Sequence, residues 1–267
     1  MPYSSFAPQV VGGAADAVMA SSARMSAVFT TDIMRLGIIG GGRAAWAFGS
    51  TWRRIGWPLA GVVTRSPSPI ASLLGAPSEI GDADLLLLAV SDRALHEVEI
   101  PDTRAIVFHC SGIHASIRGG FSLHPLKALP PVGEPSDLRD TLLVFEGAHR
   151  EVAQEIARAA GARFAEIDAA AKTRYHAGAV FGSNYVAALL DIAQQLIALP
   201  GAREDIAALA RSAIDNWVAH DDARRFTGPA ARGDSEVLER HMDALAGSPE
   251  LAEIYRLLAA RIVATAK

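Results

Sequence analysis

The pattern of apolar and polar positions changes character at Asp168. Before it, strand-length apolar runs at Ile33–Ile39, Leu59–Thr64, Asp84–Val90, Ala105–His109, Thr141–Phe145 and Arg163–Ile167 alternate with helical spacing at Gly42–Ile55 and His149–Ala160. The run Asp84–Val90 is apolar on consecutive positions, which marks a parallel strand covered on both faces. After Asp168 there is no strand pattern. One helix is predicted over Ala169–Leu199, stopped by Pro200-Gly201, and others over Arg203–Ala219, Ser235–Leu245 and Pro249–Thr265. The predicted organisation is an extension over 1–33, a doubly wound α/β sheet domain over 34–167 and an all-α domain over 168–267. The extension is rich in Ala, Ser and Val, without the basic start and unbroken apolar core of a signal peptide. Met34, just before the first strand, is an alternative start of translation to Met1.

The first strand runs into Gly40-Gly41-Gly42-Arg43-Ala44-Ala45, which carries G-x-G-x-x-A at Gly40, Gly42 and Ala45. The first glycine permits a tight turn, the second lets backbone approach a pyrophosphate, and the small third residue lets the helix pack on the strand. Unpaired amides at the helix start attract phosphate. The second strand ends Thr64-Arg65-Ser66 rather than in the acid that would bind a ribose hydroxyl. A guanidinium flanked by hydroxyls suits a ribose phosphate, so the expected cofactor is NADP rather than NAD. Ala89, Val90 and Ser91 end the third strand, and Ser111-Gly112 follow the fourth, at the edge where open α/β sheets bind ligands.

Composition narrows the classes. With 25 Lys and Arg against 29 Asp and Glu, the net charge is −4, and no basic run offers a nucleic-acid surface. No apolar stretch reaches the roughly 18 residues of a membrane span. Cys110 is the sole cysteine, so no internal disulfide forms, as expected of a cytoplasmic protein. It has no activating neighbour in sequence and is read as packing. The eight histidines lack metal-ligand spacing, and no metal is expected.

Lys172, His176 and Ser183 fall on one stripe of the predicted long helix, with Asn184 further round. A lysine and a histidine one turn apart can do acid–base work at a carbonyl or alcohol, or simply begin the helix with exposed basic groups. His124, ahead of Pro125 and after a strand, sits where a nicotinamide would lie and could meet a substrate oxygen. Arg232 and Asp234, in a glycine-punctuated loop Phe226–Asp234, are placed to pair with each other or to face an anionic ligand.

Four segments, Leu36–Ala45, Ser122–Leu126, Lys172–Tyr185 and Thr227–Asp234, make the chain resemble bacterial proteins that join a Rossmann-like NADP-binding domain to a helical DUF2520 domain, within the 6-phosphogluconate dehydrogenase-like superfamily. The resemblance implies an NADP- or deazaflavin-dependent oxidoreductase that dimerises through its helical domain. Related β-hydroxyacid dehydrogenases and ketopantoate reductases place a catalytic lysine where Lys172 stands, with an asparagine one turn on, where this chain has His176. His124-Pro125 is similar to the His-Pro of prephenate dehydrogenases, whose histidine meets the substrate. The expected activity is hydride transfer between NADP and a small carboxylated keto or hydroxy compound in the cleft between the domains. Lys172 is then the proton donor or acceptor, aided by His176 or His124. The alternatives are a non-catalytic NADP(H) sensor and a scaffold with a vestigial fingerprint.

Overall fold

Strand β1 (Leu36–Ile39) is apolar because it lies between two partners. It pairs in parallel with β2 (Leu59–Val63) on one side and β3 (Leu85–Leu88) on the other. The computed structural model describes residues 33–265; apart from Ile33, the predicted extension lies outside the described residues. Adding β4 (Ile106–His109), β5 (Phe121–Pro125), β6 (Leu142–Gly147) and β7 (Arg163–Glu166) gives a 7-stranded sheet in the order β2-β1-β3-β4-β5-β6-β7. Neighbours are parallel except β5 and β6, which are antiparallel. The strand order reverses between β1 and β3, and such a reversal opens a crevice at the carboxyl ends of the strands.

Helix α1 (Arg43–Arg54) covers one face, burying Ala45, Ala47, Phe48 and Trp52. Phe48 meets Phe108 edge-on at 5.8 Å, and Phe108 stacks on Phe121 at 4.8 Å. Phe121, Phe145 and Phe164 continue this aromatic row across β5, β6 and β7. Side chains of β3 go to opposite faces in turn: Leu85 and Leu87 join the α1-side core, Leu86 and Leu88 a second cluster with Leu95 and Val107. The unbroken leucines are thus the signature of two-sided burial. A short α2 (Ile70–Leu74) and α3 (Arg150–Ala160) complete the layers.

The predicted single helix over Ala169–Leu199 is in fact interrupted. A 3₁₀ turn (Ala169–Ala171) leads into α4 (Lys172–Phe181), and α5 (Asn184–Ile197) starts afresh. The break falls at Gly182-Ser183, a pair that commonly kinks helices. The Ser183 backbone leaves helical geometry, and its hydroxyl donates back to the Ala179 carbonyl at 2.6 Å. Then follow α6 (Arg203–Ala219), α7 (Pro229–Arg232), α8 (Ser235–Ala244) and α9 (Pro249–Thr265). The expected Phe226–Asp234 loop holds α7, which Pro229 begins and left-handed Gly233 ends. The chain divides into two compact units, Met1–Ala177 and Gly178–Lys267, so the first turn and a half of α4 goes with the sheet. No helix among the described residues is long and apolar enough to cross a membrane.

Candidate active site

A cavity of about 870 Å³ opens at the crevice beyond β1, β2 and β3. Gly40, Gly41, Gly42, Thr64, Arg65, Ser66, Ala89, Val90 and Ser91 line it, joined by Ser68, Glu97 and Glu99, which sequence reading did not single out. Gly40 is required by the fold itself: its φ is +130°, and a β-carbon there would lie 2.1 Å from the Ala89 carbonyl oxygen. Gly42 is different. Its φ of −92° suits any residue, and apart from its own chain neighbours no atom of the described residues lies within 4 Å of where its β-carbon would be. Neither sterics nor backbone conformation requires glycine at this position, whereas a ligand pressed against the backbone does. Gly42 is the N-cap of α1, without a capping side chain, so the first-turn amides of Arg43, Ala44 and Ala45 are left for a ligand. Ala45 itself is buried behind the turn. The residues therefore fit a dinucleotide's pyrophosphate. Arg65 is exposed at the rim, while the Thr64 hydroxyl donates to the Ser66 carbonyl at 2.7 Å and is not free to donate outward.

Along the same sheet edge, β4 and β5 carry a polar cluster. The register pairs Leu88 with His109 and His109 with Ser122, so the residues two positions on, Ser111 and His124, continue the edge beyond them. Lys172, from the first turn of α4, reaches down into this edge and is only 1% exposed. Its ammonium donates to Ser122 Oγ at 2.5 Å and to the Ser111 carbonyl at 3.0 Å, and Ser122 Oγ donates to that same carbonyl at 3.1 Å. Among the described residues Lys172 forms no ion pair. Burial pushes its pKa down, opposed by the more distant carboxylates of Glu146 and Asp92. Glu146 is itself occupied, accepting from the Ser116 amide at 2.6 Å and the Ser116 hydroxyl at 3.1 Å. Asp92 directly follows the cavity-lining Ser91.

His124 lies within β5, near its end, rather than after the strand as expected. Its Nδ1 is 2.6 Å from the Tyr175 hydroxyl. Burial, reinforced by His176 and Lys172, lowers the imidazole pKa to about 4. Burial raises the Tyr175 phenol to about 12. His176 meets His124 edge-on at 5.8 Å, and Gly112 closes the group: a β-carbon there would lie 2.4 Å from His176 Cδ2 and 3.0 Å from His124 Nε2. Ser111, Gly112, His124, Lys172 and His176 are thus brought together. Tyr175 and Ser122 join them as site residues that sequence reading did not name, although both stood inside segments that carried the family resemblance.

The other candidates are engaged elsewhere. Ser183 Oγ also contacts Asn184 Oδ1 at 3.1 Å, so these two pair locally in the second unit. The Arg232–Asp234 pair does not form; Asp234 caps α8, its carboxylate accepting the Val237 amide at 3.3 Å. A helix N-terminus with unpaired amides outcompetes a solvated guanidinium two residues away. Burial raises the Cys110 thiol to about 12, in keeping with packing. Among the described residues no three His, Cys, Asp or Glu side chains gather as a metal site.

The fold is similar to that of a Bacteroides fragilis protein described as a candidate NADP oxidoreductase. The two share 21% identity over 86% of this chain and 98% of that one, with a TM-score of 0.73. A Thermotoga maritima protein matches at 22% identity over 86% and 98%, with a TM-score of 0.64. A reductive aminase from Aspergillus terreus, solved in complex with NADPH and ethyl levulinate, matches at 16% identity over 86% and 93%, with a TM-score of 0.55. At such identities the likeness establishes the fold. No curated protein matches the sequence. Residues 143–262 match the family described as "Domain of unknown function (DUF2520)", a stretch that begins within β6 and runs through the helices. The chain thus has a Rossmann-type α/β fold, and its residues 143–262 are similar to the DUF2520 family.

Proposed function

We propose that the protein is an NADP(H)-dependent oxidoreductase acting on a small carboxylated keto or hydroxy compound. One observation carries the reading: the ligand-shaped glycine turn and the buried Lys172–Ser122–Ser111 chain stand on one edge of one sheet, beyond neighbouring strands. When bound, the nicotinamide supplies or accepts a hydride. The chain's own groups do the rest. The amides of α1 and Gly42 hold the pyrophosphate, and Arg65 pairs with the ribose phosphate. Lys172 contributes positive charge with no protein carboxylate against it, which favours a substrate anion. His124 meets the reacting oxygen. The fold neighbours named for NADP and NADPH support the cofactor class.

A homodimer through the helical unit belongs to the same proposal. Leu209, Ile214, Trp217 and Val218 of α6 are each more than half exposed, an apolar surface that a second copy would cover. The deciding experiment is a thermal scan with NADP, NADPH, NAD and NADH, followed by NADPH consumption on a panel of keto acids. The proposal expects a rise in Tm with NADP(H) above that with NAD(H), and turnover with a keto acid. Binding without turnover on any of them would favour a sensor, and no shift with any nucleotide would overturn the reading.

A further inference from the structure

The reading above leaves open what holds His124 in one protonation form, and the geometry around it answers. Tyr175 stands three residues after Lys172 on α4, so both side chains leave the same face of the helix. Its ring meets His124 edge-on at 5.5 Å, with the hydroxyl 2.6 Å from Nδ1. Among the described residues the phenol has no other hydrogen-bond partner, and neither does His124 Nε2. If Nδ1–H donated to the phenol oxygen, the phenol proton and the Nε2 lone pair would both be left without partners. If the phenol donates to Nδ1, only Nε2–H is unpaired. The second arrangement also joins the stronger donor to the stronger acceptor. Nε2 faces the bare α-carbon of Gly112, where any side chain would collide with His124 and His176.

We propose that Tyr175 is a positioning residue that fixes the His124 proton on Nε2, so that a neutral N–H is left to donate to the oxygen of a bound carbonyl or alcohol. The identity of that oxygen rests on the oxidoreductase reading; the tautomer does not. A neutral donor of this kind stabilises developing negative charge on oxygen without itself having to lose or gain a proton. The charged and titratable groups near it are His176, Lys172 and Asp92.

Nitrogen-15 NMR of the histidine side chains in the full chain tests the proposal, with His124 assigned from His124→Gln. At neutral pH the wild type should show His124 with a proton on Nε2 and a bare Nδ1. In Tyr175→Phe that single form should be lost to a mixture. His109 is the internal control: its Nε2 donates to the Ala115 carbonyl at 3.0 Å and its Nδ1 accepts from the Ser111 amide at 3.2 Å, so its tautomer should not change. Proton on Nδ1 of His124 in the wild type, or an unchanged His124 in the variant, would overturn the proposal. The wild-type spectrum decides alone should the variant lose the His109 signature through misfolding. An NADPH melting shift measured on the same sample separates failure of the tautomer from failure of the oxidoreductase reading.

Discussion

Two glycines two residues apart in one turn should respond to alanine in opposite ways. At Gly40 the methyl group meets the Ala89 carbonyl oxygen at 2.1 Å, and the backbone sits at φ +130°. Relief requires β1 and β3 to part just where Ala89 N donates to the Ile39 carbonyl at 2.8 Å. Backbone strain and the lost pairing together place Gly40→Ala at about 3–5 kcal/mol destabilising. At Gly42 the methyl group enters open space and φ is −92°, which alanine adopts freely. The reduced freedom of the unfolded chain and the poorer N-cap nearly cancel, so Gly42→Ala should stay within about 1 kcal/mol of wild type. Nucleotide binding should show the damage instead. A ligand at a hundred times its Kd adds about 2.7 kcal/mol, or roughly 5–10 °C in Tm for a chain of this size. Gly42→Ala should lose about half of that rise or more, with NADPH affinity falling at least tenfold, about 1.4 kcal/mol. Urea unfolding and thermal scans with and without NADPH read both quantities. A Gly42→Ala protein that binds NADPH like wild type would refute the pyrophosphate reading of the turn.

Three further outcomes follow from the same geometry. Lys172→Met leaves the 3.1 Å Ser122–Ser111 bond in place and removes a buried charge, so urea melts should find it within about 2 kcal/mol of wild type while NADPH-dependent turnover disappears. Stability should fall as pH drops from about 6.5 towards about 4, because burial keeps His109 and His124 unprotonated down to about 4 when folded. The unfolded chain then binds more protons in that window, and the fully buried His109 alone accounts for roughly 3 kcal/mol, measurable by urea melts at several pH values. Arg65→Ala should weaken NADPH about 10- to 100-fold, the loss of about 1.4–2.7 kcal/mol of charge-assisted bonding, and leave NADH affinity unchanged by calorimetry.

The sheet was legible because its strands obey a simple rule. Leu85–Leu88 is apolar at every position since both faces are covered, and Gly40 is a glycine because no other residue fits. The cavity rim followed, since a strand end, a glycine turn and a helix start are contiguous in sequence. The polar cluster was only half legible. Lys172 and His176 share a helix turn, but Ser111 and Ser122 reach Lys172 across 61 and 50 residues, a proximity that the parallel register of β4 and β5 creates. Tyr175 shares a helix face with Lys172, but what marks it as a site residue is a partner 51 residues away. The helix break was readable in principle from Gly182-Ser183, but helical periodicity runs through the pair and hides it. Arg232 and Asp234 misled for the opposite reason: nearness in sequence suggested a pair, while the carboxylate had a better partner in the amides of α8.

Lys172 sharpens what the site is for. A buried ammonium without a counter-ion is costly, and a methionine of similar shape would fill the same space without that cost. The hydrogen bonds to Ser122 and Ser111 and the more distant carboxylates of Glu146 and Asp92 offset only part of that cost. Packing therefore does not demand a lysine here, as sterics do not demand glycine at position 42. Both residues make sense once something negative arrives: a pyrophosphate at the turn, and a carboxylate or a developing oxyanion at the end of β5. On this reading the buried charge selects anionic substrates, the neutral His124 orients the reacting oxygen, and the two groups keep separate roles because one helix face delivers Lys172 to Ser122 and Tyr175 to His124.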